Sequence, residues 1–356
     1  MTDASTHVTQ AAPAPPPFPG KSPELLALAD GLNFGTPLGQ ISGTIVPNPL
    51  FFLRSNNPPP ILAADQWRLR IDGRVGRPLS VGIQELHALP NRTQEVWLEC
   101  AGNSRLRFDP PGEGNQWDDE AVSNAVFKGV SLSSVLDQVQ VLEDAVEVVA
   151  TGADAATFQR SLPLDVARQP EVLLAWEMNG EPIPYANGGP VRMIVPAWAA
   201  IASVKWPIRL EVTNTPFGGY YHAERYIIVD AHGRTLRSVR EMPVKSLIGQ
   251  PAEGQTLGPG PHVISGFAWS GLGQIERVEV STDDQQTWTP ARLIHGAGRL
   301  AWTRWELTWA ATQPGRTTIC ARATDSAGNV QPSQVAWNKF GYLMNAIVTR
   351  TVNVQA

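Results

Sequence analysis

From Trp67 the chain alternates. Trp67, Leu69 and Ile71 point one way, Arg68, Arg70 and Asp72 the other, and Gly73 ends the run. A period of two predicts a half-buried strand. Residues 93–100 and 146–150 predict further strands, and the apolar run 172–178 a buried one. The dipeptide Asn179-Gly180 that follows is a strong hairpin-turn signal. Residues 191–196 read as another strand, with Arg192 set inside an apolar run. Helix signals are shorter. Ser22 and Pro23 fit the cap and first position of a helix over 23–32. Residues 81–89 suit a strand-to-helix passage, 131–136 and 161–164 suit helix starts, and the acids of 117–120 precede a short helical turn. This mixture predicts an α+β fold.

After about Thr215 the helix signals disappear. Residues 278–282 alternate and turn at Asp283-Asp284, Trp302, Trp305 and Trp309 recur in one segment, and 319–324 alternate and turn at 325–329. Short strands with frequent turns predict an all-β, immunoglobulin-like sandwich. The expected division is a lead over 1–48 (Pro/Ala-rich and extended, then the short helix), a first domain over 49–231 and the sandwich over 232–356.

Composition narrows this picture. At 356 residues the chain exceeds the usual single domain. Its 31 glycines and 31 prolines favour turns and short strands over helical bundles. Twelve tryptophans imply large apolar contacts or a binding cleft. A net charge of −5 gives no support to nucleic-acid binding. With only Cys100 and Cys320, a disulfide framework or a cysteine-rich zinc site is excluded. No apolar run approaches the roughly 18 residues of a membrane span. No charged head with an apolar core and no twin-arginine leader is visible, so the expected compartment is cytoplasmic or periplasmic, with the cytoplasm slightly favoured.

The usual chemical motifs are missing: no P-loop, no G-x-G-x-x-G after a strand, no H-E-x-x-H, C-x-x-C or G-x-S-x-G. The histidines are dispersed, with no metal-ligand spacing. What stands out is Cys100, where the apolar strand ends and the small-residue turn Ala101-Gly102-Asn103 begins. A thiol held there suits a metal ligand, a nucleophile or a buried core residue equally. Arg54 follows four apolar residues, Arg192 lies inside a strand, and Lys205 and Tyr226 come later. Each alone reads as structural. Together they describe a soft thiolate among cations, which suits a thiolate-loving metal and an anion. Cys320, on a sandwich strand, reads as structural.

Several separated stretches, in order, carry a resemblance. Glu99-Cys100-Ala101-Gly102-Asn103 with Arg105, residues 173–182, residues 189–196, and Ser203-Val204-Lys205-Trp206 resemble the molybdenum-binding region of the sulfite oxidase family. Asn329-Val330-Gln331-Pro332 and Trp337-Asn338 resemble its dimerisation domain, so the likeness runs from about Leu50 to the C-terminus. The resemblance implies molybdenum with molybdopterin as cofactor and Cys100 as the metal's protein ligand. It implies that Arg192 and Lys205 hold the pterin phosphate or line the site, and that Arg54 is the substrate-pocket arginine. Asn103, Asn187 and Ser203 join Arg54 and Asn56 in the implied cofactor-binding set. Tyr226 matches the family's catalytic tyrosine, and Arg304 an arginine lent by the second domain. Where the family pattern has histidines, this chain has Asn56 and Asn187. Asparagine keeps donors and acceptors but carries no charge.

The implied reaction is oxidation of sulfite to sulfate by oxygen-atom transfer, with electrons passing to an external acceptor such as a cytochrome, and a homodimer as the assembly. A bacterial origin is the expectation. Two other readings stay open: a related molybdenum enzyme acting on nitrate, a sulfoxide or another oxyanion, and a cofactor-free interaction protein. A cysteine hydrolase lacks a histidine partner for Cys100.

Overall fold

The structure is a computed structural model that describes residues 18–155 and 157–356. Residues 1–17, most of the expected extended lead, lie outside the described residues. Two sheets build the first part of the chain. In one, the antiparallel strands Asn91–Glu99, Val122–Ser131 and Leu173–Met178 lie side by side, and Glu181–Pro182 and Arg192–Ile194 both pair with Leu173–Met178. In the other the order is Leu79–Val81, Leu69–Gly73, Pro207–Thr213, Glu147–Gly152, Gln159–Pro163. Pro207–Thr213 runs parallel to Leu69–Gly73 and antiparallel to Glu147–Gly152. The Asn179-Gly180 hairpin forms as the dipeptide predicts, with φ of 55° and 79° at its two residues.

The C-terminal part holds two more sheets. Lys245–Gln250, Gly260–Trp269, Thr303–Ala311 and Arg292–His295 make one. Thr256–Leu257, Thr349–Val354, Gly315–Asp325, Ile275–Ser281 and Thr289–Pro290 make the other. Ile248, Ile264, Ala268 and Trp305 from the first meet Val278, Val280, Ile319 and Val352 from the second in one core. A second core joins the two parts of the chain: Val96, Trp97 and Leu98 pack in the same cluster as Phe267, Trp269 and Trp302, and Cys100 and Tyr226 belong to it.

The α+β expectation needs correcting. The fold is mainly β, and among the described residues the longest helix is Leu132–Asp137, with six residues. Residues 23–32 form no helix. Leu26–Ala27 pairs with Phe34–Gly35, and the Asp30 carboxylate takes the backbone N–H groups of Leu32 and Asn33, both at 3.0 Å. Local capping by an aspartate competes with the helix, and Leu25 is drawn into a small cluster with Phe18, Phe34 and Leu53. Residues 161–163 are strand, and only the turn Leu164–Ala167 is helical. The acids before Ala121 start no helix, because Asp119 is spent on Arg107 and on the Ser104 hydroxyl at 2.6 Å.

Candidate active site

Strand Asn91–Glu99 delivers Cys100 to the lining of a cavity that opens to solvent. The turn after it is held on both sides. The Cys100 N–H donates to Ala121 O at 2.9 Å, the Asn103 N–H to Cys100 O at 2.9 Å, and the Leu343 N–H to Ala101 O at 2.8 Å. The thiol is buried but reaches the cavity.

The cations arrive from separate elements. Arg192 opens strand Arg192–Ile194 and lies beside Lys205 through an isolated β-bridge. Arg192 Nη1 donates to Asn187 O at 3.0 Å. Lys205 Nζ donates to Ser55 Oγ at 2.6 Å and to Ala186 O at 3.2 Å, and sits 4.5 Å from the centre of the Trp206 ring. Arg54 is gripped at several points: Nη2 donates to Asn56 Oδ1 at 2.7 Å, and Nη1 to Asn33 Oδ1 at 3.4 Å and to Ser55 O. None of these bonds goes to a carboxylate. Gly188 makes the convergence possible. It has φ 113°, and a Cβ there would come within 2.9 Å of Lys205 Cγ and 3.2 Å of Arg192 Cβ.

Uncompensated burial shows in the titration. Desolvation pushes the Arg192 guanidinium down to about 9. Lys205 is held well below the ordinary lysine value, first by desolvation and then by the Arg192 and Arg54 charges. Lys21, whose amine reaches Asn48 O at 2.7 Å and Phe51 O at 2.9 Å, falls to about 7 through burial and Arg192. Buried cations whose hydrogen bonds all go to neutral acceptors suit an anion, although Asp154 in the same lining offsets part of the Lys205 charge. Asn187 adds a buried side-chain Oδ1 without a partner. A thiol at the end of a strand, cations hydrogen-bonded to neutral groups and an unpaired amide oxygen fit a thiolate-bound metal carried by an anionic organic cofactor.

The structure brings together Cys100, Arg54, Asn56, Asn187, Arg192, Ser203, Lys205 and Tyr226, all in the lining of this cavity. Ser203 Oγ accepts the Val195 N–H at 2.9 Å. Tyr226 stands at φ 52° and Trp206 at φ 51°, two bulky left-handed residues on the same cavity wall. Two expected residues lie elsewhere. Asn103 is turned away: its Nδ2 donates to Glu99 Oε1 and its Oδ1 accepts the Ala121 N–H, each at 2.9 Å, so it braces the turn. Arg304 is not in the lining. Strand alternation puts it on the face of Glu306, two residues on, where Nη1 bonds Oε2 at 2.9 Å. Sequence reasoning missed Asp154 and Phe158, which also line the cavity. Asp154 sits in a turn where its carboxylate takes the Asn57 amide at 2.7 Å and the Phe158 N–H at 3.0 Å. No spacing signal marks it. Lys21 lay in a stretch that read as an extended lead.

Comparison with known proteins agrees with this geometry. Residues 56–221 match the oxidoreductase molybdopterin binding domain, and residues 236–355 the Mo-co oxidoreductase dimerisation domain. The chain is 37% identical to the sulfite oxidase of Gallus gallus over 330 residues, 85% of this chain and 72% of that protein. It spans 60% of the mitochondrial sulfite oxidases of rat and human. It is 30% identical to an NADH nitrate reductase of Spinacia oleracea over 88% of this chain but 38% of that protein. The crystal structure of the sulfane dehydrogenase SoxCD from Paracoccus pantotrophus superposes with a TM-score of 0.84 at 31% identity, covering 91% of this chain and 87% of that one. With a thiol, a cavity and a cation set that suit the cofactor, and relatives matched across both parts of the chain, this protein belongs to the sulfite oxidase family of molybdopterin-binding oxidoreductases.

Proposed function

We propose that the chain oxidises sulfite to sulfate and passes the electrons to a separate acceptor. The balance is one sulfite and one water giving one sulfate, two protons and two electrons. The observation that carries the reading is the meeting of Cys100, Arg54 and Tyr226 on one cavity where, among the described residues, Arg54, Arg192 and Lys205 hydrogen-bond only neutral acceptors. When bound, the molybdenum cofactor supplies two-electron oxygen-atom transfer. Cys100 would be its protein ligand, and Arg192, Lys205, Ser203 and Asn187 would hold the anionic end of its pterin.

Arg54 binds the oxyanion. Its fork is fixed by Asn56, Asn33 and Ser55, so no reorganisation is needed as charge moves on the substrate. The Tyr226 hydroxyl offers a hydrogen bond at the same wall. Phe158 and Ile201 supply apolar lining that limits water. The expected division stays at 49–231 for the cofactor domain and 232–356 for an immunoglobulin-like dimerisation domain. The dimerisation-domain match supports a homodimer, and the electron balance calls for an acceptor, with a cytochrome as the expected class. Among the described residues no helix is long and apolar enough to cross a membrane, and a cytoplasmic or periplasmic site both suit this reading.

A second reading, reduction of nitrate, is favoured by the likeness to nitrate reductase and by the uncharged Asn56 beside Arg54. Metal analysis and steady-state turnover separate the two. Sulfite-dependent reduction of an artificial acceptor by molybdenum-loaded protein is expected. Loaded protein that reduces nitrate or oxidises a sulfane but leaves sulfite untouched overturns the proposal. Cys100→Ser should lose molybdenum or turnover, because a hard hydroxyl replaces a soft thiolate.

A further inference from the structure

Directly behind Cys100 lies a charge pair that the reaction does not use. Glu99 is the last residue of strand Asn91–Glu99, and its side chain is 0% exposed. Lys245 opens the second-part strand Lys245–Gln250, and its side chain is 1% exposed. Lys245 Nζ donates to Glu99 Oε1 at 3.0 Å and to Ser104 Oγ at 2.8 Å. The other carboxylate oxygen, Oε2, accepts the Trp269 indole N–H at 2.7 Å. Lys245 and Trp269 are register partners on neighbouring antiparallel strands, so both present their side chains to the same face. The carboxylate that precedes the cysteine is thus read by one cross-strand pair of the C-terminal sheet.

The same atoms close the turn that follows the thiol. Glu99 Oε1 also accepts Asn103 Nδ2 at 2.9 Å, and the Asn103 backbone N–H returns to Cys100 O. Ser104, at φ 64°, passes the contact on to Asp119 Oδ1 at 2.6 Å. Residues 99, 103 and 104 therefore bracket Cys100 and answer to one lysine from the other part of the chain. A fully buried ion pair is a poor source of net stability, since apolar residues of similar size often do as well. Its use is to fix one arrangement, because every partner must be in place for the charges to be satisfied.

We propose that Lys245, acting through Glu99, is a positioning residue for Cys100: the C-terminal part of the chain sets where the thiolate stands in the cavity. The proposal rests on the reading of Cys100 as the metal ligand. Groups behind a metal ligand commonly matter by about 10–100-fold in metal affinity.

The test uses the full chain, produced with and without cofactor supply, as wild type, Cys100→Ser, Lys245→Met and the double variant Glu99→Gln/Lys245→Met. Thermal stability is measured for each, and three quantities are measured below its unfolding temperature: molybdenum per chain, the thiolate-to-molybdenum absorption band, and the alkylation rate of Cys100 in cofactor-free protein against buried Cys320 as internal reference. Lys245→Met is expected to lower molybdenum retention by about tenfold or more, shift the band and change the Cys100 rate by several-fold while Cys320 is unchanged. The double variant is expected to recover thermal stability, since no buried charge is left unpaired, without recovering the band or the Cys100 rate. Folded Lys245→Met with wild-type metal content, band and alkylation rate overturns the proposal. So does a double variant in which all readouts return together, since the pair would then act on stability alone. Cys100→Ser that keeps its molybdenum together with the wild-type band and sulfite turnover overturns instead the reading on which the proposal rests.

Discussion

Tyr226 and Tyr342 lie face to face, with ring centroids 5.1 Å apart and 12° between their planes. Tyr226 lines the cavity, and Tyr342 backs it from the C-terminal segment, with the Arg105 guanidinium 5.2 Å from its ring centre. Burial, with Tyr226 close by, pushes the Tyr342 hydroxyl above the ordinary tyrosine value. The stack supports the Tyr226 ring at its left-handed backbone position.

Tyr226→Phe keeps the ring and the stack but removes the hydroxyl. A hydrogen bond to a charged group is worth about 1.5–3 kcal/mol, so kcat/KM for sulfite should fall by roughly 10–100-fold. Thermal unfolding should be nearly unchanged. Tyr342→Ala should do the reverse in emphasis, lowering stability by about 3–5 kcal/mol through the cavity it leaves. Steady-state kinetics alongside melting curves check both.

Arg54→Lys should not rescue Arg54→Ala. The three anchors Ser55 O, Asn33 Oδ1 and Asn56 Oδ1 are arranged around a planar fork, which an ammonium on a flexible stem cannot reproduce. Both variants are expected to raise the KM for sulfite by roughly tenfold or more, while molybdenum content stays near that of the wild type. A lysine variant with the wild-type KM would show that charge alone suffices.

Lys205→Met should split stability from function. Without the cofactor, the Lys205 charge is buried against neutral acceptors, and an apolar side chain of similar length removes that cost. Cofactor-free Lys205→Met is therefore expected to melt at or above the wild-type temperature, while cofactor retention falls. Calorimetry and metal analysis on the same preparations measure the two effects.

The same cations give the cofactor-free protein a definite pH dependence. Lys21 titrates at about 7 when folded and at 10.5 as an ordinary lysine. Between these values the folded state binds fewer protons than the unfolded state, so this group makes stability rise with pH from about 7 towards 10.5. Below that window the buried charge is a fixed cost. Lys21→Met should flatten the slope in denaturant midpoints measured across this range.

Gly188→Ala tests the close approach. The added methyl would meet Lys205 Cγ at 2.9 Å at a backbone φ of 113°. Strain and overpacking together should cost about 1–3 kcal/mol. The displaced Lys205 and Arg192 stems should also weaken cofactor retention, which a melting curve and a metal assay would register separately.

Much of the fold could be read along the chain. The buried run before Asn179-Gly180 and the C-terminal strands carry their period or turn chemistry locally and form close to where that pattern puts them, while the alternation from Trp67 yields the strand Leu69–Gly73, starting two residues later. Of the short helices, Ile83–His87 and Leu132–Asp137 form within or next to their expected stretches, whereas the one over 23–32 does not. Ser22-Pro23 is a sound cap signal, but the Asp30 side chain and the burial of Leu25 outweigh it. At the site, Cys100, Arg54, Arg192 and Lys205 stood out as odd residues in apolar surroundings, and the cavity unites them. Asp154 and Lys21 gave no such sign, because a turn aspartate and a lysine in a Pro-rich lead look the same whether or not a cavity lies beside them.

By itself, then, the sequence determined which residue types were available and their local direction: a thiol at a strand end, cations in apolar runs, a turn of small residues after the cysteine. Tertiary structure decided partners. It sent Arg304 to Glu306 and Asn103 to Glu99, away from the cavity, and it set Lys245 behind Cys100. The physical reason is that strand alternation fixes only which face a side chain takes. What that face meets depends on how sheets distant in sequence pack, and the buried charges left over are satisfied only across that packing.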